Sequence, residues 1–298
     1  VYPAAAITLI PNTIVNSFIV RGNNQKYLPR IGGKGVLTAI CLTEPNAGSD
    51  AAAIRTRAVR HGDTYLLNGT KSFVTNGGVA EVHVVVAVTD PQKGSRGGIS
   101  AFVVEPDYPG FSVGRVEEKM GLLGSQTAQL VLEDVVVPRE NLVGQEGEGF
   151  KLLLGVFDGS RIGVGAAGLG LAQGALDHAV QYAKERIQFG KAIAEFQGIQ
   201  FLLADLAMQI ESARALIYKA AALFDAGDPE APMLASMAKC LGSDAGMKAS
   251  MEAVQIFGGY GYMRDYPVEM LMRDAKALQI FEGTNQIQRV VISRHLLK

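Results

Sequence analysis

Three stretches with different patterns of apolar and polar positions follow one another along the chain. Residues 4–20 are apolar with few interruptions, which predicts helix. From residue 36 to about 143, short β-branched runs such as 82–88 and 99–104 alternate with clusters of turn-forming residues. From residue 147 onward, apolar residues recur three or four positions apart, most clearly over 196–224 and 233–256. The pattern predicts a helical segment, then a β domain, then a helical domain.

These patterns set the predicted domain boundaries. We expect the remnant of an N-terminal helical domain over residues 1–35 and a middle antiparallel β-barrel or sandwich over residues 36–146. Residues 147–298 predict a C-terminal up-and-down four-helix bundle, in which Gly227 and Pro229 end the helix predicted over 196–224. The predicted fold class is therefore α+β with several domains.

Charge and composition exclude several classes of protein. The 28 Lys and Arg residues nearly balance the 29 Asp and Glu residues, so we expect no nucleic-acid partner. No uninterrupted apolar run is long enough to span a bilayer, and the first ten residues lack the charged start of a signal peptide, so we expect neither membrane insertion nor secretion. The two cysteines, Cys41 and Cys240, form no CxxC pair, and the four histidines lack metal-ligand spacing. We therefore expect no metal and two buried, reduced thiols.

One glycine motif resembles a dinucleotide-binding fingerprint in the wrong context. Gly163, Gly165 and Gly168 match GxGxxG, and Glu185 lies downstream. A Rossmann unit needs a second strand that ends at the acidic residue, whereas Glu185 follows residues 179–184, which predict helix. We interpret these glycines as small residues that let a second helix approach.

The segment 40–50, ICLTEPNAGSD, leaves a strand through a turn rich in backbone donors and hydroxyl groups. It resembles the TEP-x-AGSD signature of the acyl-CoA dehydrogenase family. Further segments resemble that family in its own order: 69–77 (GTKSFVTNG), 119–125 (KMGLLGS), 135–138 (VVVP), 186–191 (RIQFGK), 255–261 (QIFGGYG) and 281–289 (FEGTNQIQR). The resemblance covers essentially the whole chain, and we expect most of the family's N-terminal helical domain to be absent from it.

Glu282 is the candidate catalytic base. The α-hydrogen of an acyl thioester is a weak acid, so its removal needs a positioned base, and a carboxylate can serve if desolvation raises its pKa toward neutrality. A glutamate just before a helix start is ordinarily a solvated acid, but Glu282 matches the position of the family's catalytic base. Some relatives supply the base from the residue before the equivalent of Arg161. That residue is Ser160 here, so the resemblance favours Glu282.

The resemblance implies FAD as the cofactor, which accepts the substrate's β-hydrogen as hydride. It assigns to FAD the positions Ile40, Leu42, Thr43, Ser49, Phe73, Thr75, Arg186, Phe189, Gln197, Gln255, Ile256, Gly258, Gly259, Thr284 and Gln286. It assigns to the acyl-CoA substrate the positions Ser49, Asp158, Arg161 and Gly283. Arg186 suits a phosphate because the guanidinium group presents a fork of donors. A helix that begins near Thr284 offers free N–H groups to an anion.

The resemblance also implies partners. Members of the family form homotetramers, built as a dimer of dimers, in which a neighbouring subunit contacts part of each cofactor. They pass electrons to an electron-transferring flavoprotein. We accordingly expect a location in the bacterial cytoplasm or the mitochondrial matrix.

Three functions stay open at this point. The first is dehydrogenation of a saturated acyl-CoA to a trans-2-enoyl-CoA. The second is action on a carrier-protein thioester or a nitroalkane, although nitroalkane-oxidising relatives place Asp where this chain has Glu282. The third is a non-catalytic flavin-binding scaffold, whose sign would be loss of the base. Residues 7–11, which resemble part of the family's acyl pocket, carry no cation, so we expect an aliphatic rather than a dicarboxylyl substrate. Chain length and branching stay open.

Overall fold

The computed structural model describes residues 3–22 and 26–298, so part of the predicted segment 1–35 lies outside the described residues. The chain divides into two compact units. Unit 1 comprises Val1–Lys119 and Leu123–Phe157, and unit 2 comprises Met120–Leu122 and Asp158–Lys298. The predicted boundaries at residues 35 and 146 stay predictions.

Unit 1 consists of helices followed by a sheet. Its helices are α1 (Pro3–Arg21), α2 (Leu28–Lys34) and the first turns of α3 (Gly149–Glu185). Its strands are β1 (Thr38–Cys41), β2 (Arg57–His61), β3 (Thr64–Thr75), β4 (Val82–Val88), β5 (Ile99–Val104), β6 (Phe111–Val116) and β7 (Thr127–Pro138). The predicted β domain is therefore confirmed.

The seven strands form one sheet in the order β1-β4-β2-β3-β7-β6, with β5 also paired to β4. The pairs β2–β3, β3–β7, β6–β7 and β4–β5 are antiparallel. Two pairs differ from the predicted antiparallel arrangement. Strand β1 runs parallel to β4, with Thr38 opposite Val82, and β2 also runs parallel to β4, with Arg57 opposite Val88. A parallel pair needs a long connection, and for β1 and β4 the intervening β2 and β3 supply it.

Strand β4 is buried on both faces. Successive side chains of a strand point to opposite sides of the sheet, so Val84 and Val86 join one apolar cluster with α1, while Val85 and Ala87 join another with β3 and β7. This explains why the strand is a continuous apolar run in the sequence instead of an alternating one.

Unit 2 is mainly helical. After the rest of α3 it contains a short hairpin of β8 (Ile187–Gln188) and β9 (Lys191–Ala192), followed by α4 (Gln197–Asp225), α5 (Ala231–Phe257), α6 (Val268–Leu278) and α7 (Asn285–Leu296). On α4 the buried apolar residues recur three or four positions apart, at 206, 210, 213, 217 and 220, which gives the helix one core-facing stripe. The predicted helical bundle is confirmed.

The glycines of the apparent dinucleotide fingerprint lie inside α3, as the sequence predicts. A Cβ atom on Gly168 would lie 2.4 Å from the carbonyl oxygen of Gly242 on α5, and one on Gly165 would lie 2.6 Å from that of Ala238. Gly163 has nothing within 4 Å of such an atom. Two of the three glycines therefore permit close helix packing.

Helix α3 is also the one helix within residues 3–22 and 26–298 that could cross a membrane by length and composition alone. A core helix passes the same test, and Gly165 and Gly168 of α3 pack closely on α5. The absence of membrane insertion stays a prediction. Cys41 and Cys240 are free and buried, as expected.

Candidate active site and cofactor contacts

Glu282 lies in the turn that joins α6 to α7. Its backbone is left-handed, with φ 53°, and so is that of Gly283, with φ 87°. A residue other than glycine costs about 1–3 kcal/mol in this conformation, so it persists only where its surroundings hold it. A Cβ atom on residue 283 would lie 2.6 Å from Gln288 Nε2, which is a second reason for glycine there.

Two fully buried side chains hold this turn. Gln288 Nε2 donates hydrogen bonds to the carbonyl oxygens of Glu282 and Gly283, both at 3.1 Å. Lys239 Nζ, from α5, donates to Gly283 O at 2.9 Å and to Asn285 Oδ1 at 2.8 Å. Sequence reasoning found neither residue. The only available signal for Lys239 was a lysine on a helix face of small residues.

The carboxylate of Glu282 is partly desolvated and surrounded by donors and cations. Ser160 Oγ donates to Glu282 Oε2 at 2.5 Å. Burial raises the pKa of Glu282 above its ordinary value, while the Ser160 hydrogen bond and the charges of Arg161 and Lys239 partly offset that rise. The result is a carboxylate that is more basic than an exposed glutamate, as a general base requires.

Arg161, a predicted substrate contact on α3, is 6% exposed and lies near Glu282. Its Nη1 donates to Asp158 Oδ1 at 3.0 Å, but its buried Nε has no hydrogen-bond partner among the described residues. An unsatisfied buried donor costs about 1–3 kcal/mol. A ligand acceptor would relieve that cost.

Three of the four predicted substrate contacts, Asp158, Arg161 and Gly283, belong to unit 2, and Ser49 belongs to unit 1.

The start of α7 forms one predicted cofactor region. Thr284 caps the helix by accepting a hydrogen bond from the backbone N–H of Ile287 at 3.2 Å. A cavity of about 370 Å³ opens beside it. Both predicted contacts of this region, Thr284 and Gln286, line the cavity, together with Asp244, Lys276, Gln279, Ile280, Asn285 and Arg289.

A second cavity in unit 2, of about 540 Å³, collects four more predicted cofactor contacts. It is lined by Tyr182, Arg186, Gln188, Ile193, Ile256, Phe257, Gly258, Gly259, Tyr260 and Met263. The Arg186 guanidinium lies 5.5 Å from the centre of the Tyr260 ring. A Cβ atom on Gly258 or Gly259 would meet nothing within 4 Å, so a ligand can approach the backbone there.

This combination fits the adenine and pyrophosphate part of FAD. The aromatic rings suit a planar base, and the guanidinium suits a phosphate. Three predicted contacts, Phe189, Gln197 and Gln255, do not line the cavity. Phe189 is 94% exposed.

In unit 1, the remaining predicted cofactor contacts lie around the end of β1 and the end of β3. The two segments are joined because the backbone N–H of Ser72 donates to Thr43 O at 2.8 Å. Leu42 is buried, Ile40, Thr43 and Thr75 are half-buried, and Ser49 and Phe73 are exposed. Phe73 is 68% exposed and has a left-handed backbone, with φ 55°. Exposed aromatic, hydroxyl and backbone groups together fit a planar ring with a polar edge, such as the flavin.

A buried ion pair fixes the loop that follows β1. Glu44 accepts hydrogen bonds from Lys71 Nζ at 2.7 Å and from the backbone N–H groups of Arg55 and Thr56 at 2.6 and 2.9 Å. Lys71 Nζ also donates to Leu42 O at 3.0 Å. Burial acts to raise the pKa of Glu44, but Lys71 and these donors hold it below its ordinary value. The ammonium group of Lys71 thus ties the loop that carries predicted cofactor contacts to β3.

Two family models match the chain. The model of the acyl-CoA dehydrogenase middle domain matches residues 39–135, and that of the acyl-CoA dehydrogenase C-terminal domain matches residues 147–297. An acyl-CoA dehydrogenase of Bacillus subtilis is 50% identical over 299 residues, which cover 99% of this chain and 78% of the relative.

Two solved structures are similar over nearly the whole chain. Butyryl-CoA dehydrogenase from Megasphaera elsdenii has a TM-score of 0.95 and 48% identity, covering 99% of this chain and 78% of that one. A chain from a structural study of the electron transferring flavoprotein of Acidaminococcus fermentans has a TM-score of 0.94 and 52% identity, covering 98% and 78%. The protein therefore belongs to the acyl-CoA dehydrogenase family of FAD-dependent oxidoreductases.

Proposed function

We propose that this chain dehydrogenates a saturated acyl-CoA to the trans-2-enoyl-CoA, with Glu282 as the catalytic base. The observation that carries the proposal is the setting of the Glu282 carboxylate. It lies on a left-handed turn held by buried side chains, and its pKa is raised by burial. A carboxylate with this basicity suits removal of a proton from a weak carbon acid.

Each side chain around the carboxylate has a distinct role in the proposed step. Ser160 holds Oε2 of Glu282, which leaves Oε1 to accept the α-proton of the thioester. The electron pair of the broken C–H bond forms the new double bond as the β-hydrogen departs as hydride. The unpartnered Nε of Arg161 donates to an acceptor on the bound substrate. When FAD is bound, it supplies the acceptor for that hydride.

The proposed cofactor contacts follow the two units. Arg186, Gly258 and Gly259 suit the phosphates and the adenine base of FAD. At the start of α7, Thr284 and Gln286 bind a further part of the cofactor. In unit 1, the segment from Ile40 to Ser49 and the end of β3 hold the flavin ring, with the Glu44–Lys71 pair fixing the loop between them.

The substrate we propose is a short aliphatic acyl-CoA. Similarity to butyryl-CoA dehydrogenase favours a short chain. Ile7 and Leu9 on α1 are apolar and offer no cation for a second carboxylate.

We also propose a homotetramer that passes electrons to an electron-transferring flavoprotein in the bacterial cytoplasm. Three large apolar side chains on α4 are exposed: Phe201 at 64%, Met208 at 61% and Tyr218 at 70%. Contact with a second copy of the chain would bury them. The similar chain from the Acidaminococcus fermentans study supports the flavoprotein partner, and the Bacillus subtilis relative supports the location.

The test compares the wild type with Glu282→Gln in anaerobic titrations with saturated acyl-CoAs of increasing length, following the visible absorbance of the flavin. We expect bleaching in the wild type by short acyl chains. In the variant we expect bound flavin and bound acyl-CoA, but bleaching slowed by about 10²–10⁴-fold, the contribution of a general base.

The matched control is Glu211→Gln, which removes a carboxylate from the exposed face of α4 and should bleach like the wild type. Bleaching of Glu282→Gln at the wild-type rate would refute the assignment of the base. A wild type that retains FAD but is bleached by no acyl-CoA would refute the substrate and direct attention to carrier-protein thioesters and nitroalkanes.

A further inference from the structure

Lys239 is a fully buried lysine in the middle of α5. Removing an ammonium group from water costs several kcal/mol unless strong partners replace the water. Its partners are the carbonyl oxygen of Gly283 and the side-chain oxygen of Asn285. Within residues 3–22 and 26–298, no carboxylate forms a salt bridge with it. The lysine therefore does not serve as half of an ordinary buried ion pair.

The charge of Lys239 acts instead on the carboxylate of Glu282, to which it donates no hydrogen bond among the described residues. The charged and titratable groups that face it are Cys240 and Asp244 on α5, Glu282 on the turn and Arg161 on α3. Burial lowers the pKa of Lys239 to about 8, so its side chain still carries a proton at neutral pH. Its positive charge in turn lowers the pKa of Glu282.

We propose that Lys239 is a positioning residue for the catalytic base: its ammonium group locks the Glu282–Gly283 turn and supplies positive charge that favours the ionised carboxylate. The proposal rests on the proposed role of Glu282. Neither effect requires Lys239 to touch the substrate.

The locking effect follows from the geometry of the turn. Glu282 is followed by Gly283, whose carbonyl oxygen accepts hydrogen bonds from Lys239 on α5 and from Gln288 on α7. Lys239 also fixes Asn285, whose Nδ2 donates to Asp244 Oδ1 at 2.7 Å. The left-handed residue that carries the base is thus followed directly by atoms anchored to both α5 and α7.

The charge effect opposes desolvation. Burial alone would keep Glu282 protonated to a higher pH, and a protonated carboxyl group cannot accept the α-proton. A fixed cation nearby offsets part of this effect of burial and favours the ionised carboxylate.

The test uses two variants of the FAD-bound protein. Lys239→Met removes both the charge and the donors with little change in shape, whereas Lys239→Gln removes the charge but keeps a donor for Gly283 O. We expect both to raise the pKa of Glu282 by about one unit, the size of effect expected for losing a nearby opposite charge. We expect Lys239→Gln to lose less activity at its optimum pH than Lys239→Met.

Two readouts separate this inference from the proposed function. The first is a ¹³C NMR titration of the Glu282 carboxyl group in protein labelled on glutamate, with the signal identified by its loss in Glu282→Gln. The second is the pH dependence of flavin reduction by acyl-CoA, in which the acidic limb should move up by about one pH unit while KM changes little. The NMR readout needs no turnover, so it stands even if no acyl-CoA proves to be a substrate.

The control is Ser250→Ala, which removes a buried hydroxyl that donates to Met247 O on the same helix. It should leave both readouts at their wild-type values. An unchanged Glu282 pKa in both Lys239 variants would overturn the charge effect. Equal activity losses in Lys239→Met and Lys239→Gln would overturn the locking effect. If Lys239→Met does not fold, the titration of Lys239→Gln still decides the charge effect.

Discussion

Replacing Ser160 with alanine should change the acidity of Glu282 without disturbing the fold. The substitution removes a single oxygen, the one that donates to Glu282 Oε2. Ser160 lies within α3 and is half-buried, and alanine is the stronger helix former, so the helix should be unaffected. The change therefore removes the hydroxyl's hydrogen bond to the proposed base.

The size of the effect follows from the strength of that bond. A hydrogen bond to a charged group contributes about 1.5–3 kcal/mol, and one pKa unit corresponds to about 1.4 kcal/mol. Complete loss of the bond would raise the Glu282 pKa by about 1–2 units. The side chain is half-buried, so water can replace part of the lost donation, and we expect a rise of about one unit. The sign is upward because the bond stabilises the ionised form.

The assay is the pH dependence of flavin reduction in an anaerobic stopped-flow experiment, using acyl-CoA with hydrogen or deuterium at the α-carbon. The isotope effect identifies the proton-transfer step as the one observed. The acidic limb of the Ser160→Ala profile should lie about one pH unit above that of the wild type.

A control and a refuting result complete the design. Ser212→Ala removes an exposed hydroxyl that donates to Met208 O on α4, so its profile should coincide with that of the wild type. A Ser160→Ala profile that coincides with the wild type would show that the hydroxyl does not set the acidity of Glu282. A shift toward lower pH would contradict the sign of the reasoning.

Two further predictions concern stability. Burial lowers the pKa of His83 to about 4, so between about pH 4 and 6.5 the unfolded chain binds more protons and stability is lost as pH falls. His83→Gln, which keeps a donor for Gly77 O, should remove about 3 kcal/mol of the stability change between pH 7 and 4 in urea unfolding; an unchanged pH dependence would contradict this. Gly168→Ala should destabilise by about 1–3 kcal/mol because its methyl group overlaps Gly242 O, whereas Gly163→Ala, on the same helix with open space, should stabilise by up to about 1 kcal/mol. Equal unfolding midpoints for the two variants would refute the packing argument.

Local patterns were sufficient to predict most of the secondary structure. The helix predicted over 196–224 is found at Gln197–Asp225, and the strand predicted over 82–88 is found at Val82–Val88. Both follow from the spacing of apolar residues, which the chain carries locally. The parallel pairing of β1 with β4 could not be predicted in the same way. The two strands lie more than 40 positions apart, and the pattern of apolar and polar residues in each strand does not show whether they run parallel or antiparallel.

The predicted site residues came from motifs, and the residues that hold them came only from the structure. Lys71 falls in the same alternating set as Tyr65 and Leu67, so β3 carried a signal that this lysine faces the core. Lys239 lies 44 positions from the carbonyl it binds, and nothing near it in sequence indicates that contact. The role of a buried polar group depends on its partners in the folded structure. Sequence periodicity can therefore show that a polar residue lies at a core-facing position, but not what it binds there.

The concentration of unfavourable features around one carboxylate is the strongest argument from structure to function. Glu282 has a left-handed backbone, Lys239 is a buried charge with no salt bridge among the described residues, and the buried Nε of Arg161 lacks a partner in the same part of the chain. Each costs on the order of 1 kcal/mol or more, and a turn that merely connected α6 to α7 would require none of them. A glycine at position 282 would remove the backbone strain, and an apolar residue at 239 would remove the buried charge. Both changes would also remove the proposed base or the cation beside it, so the chemistry that we propose for the carboxylate accounts for the strained arrangement.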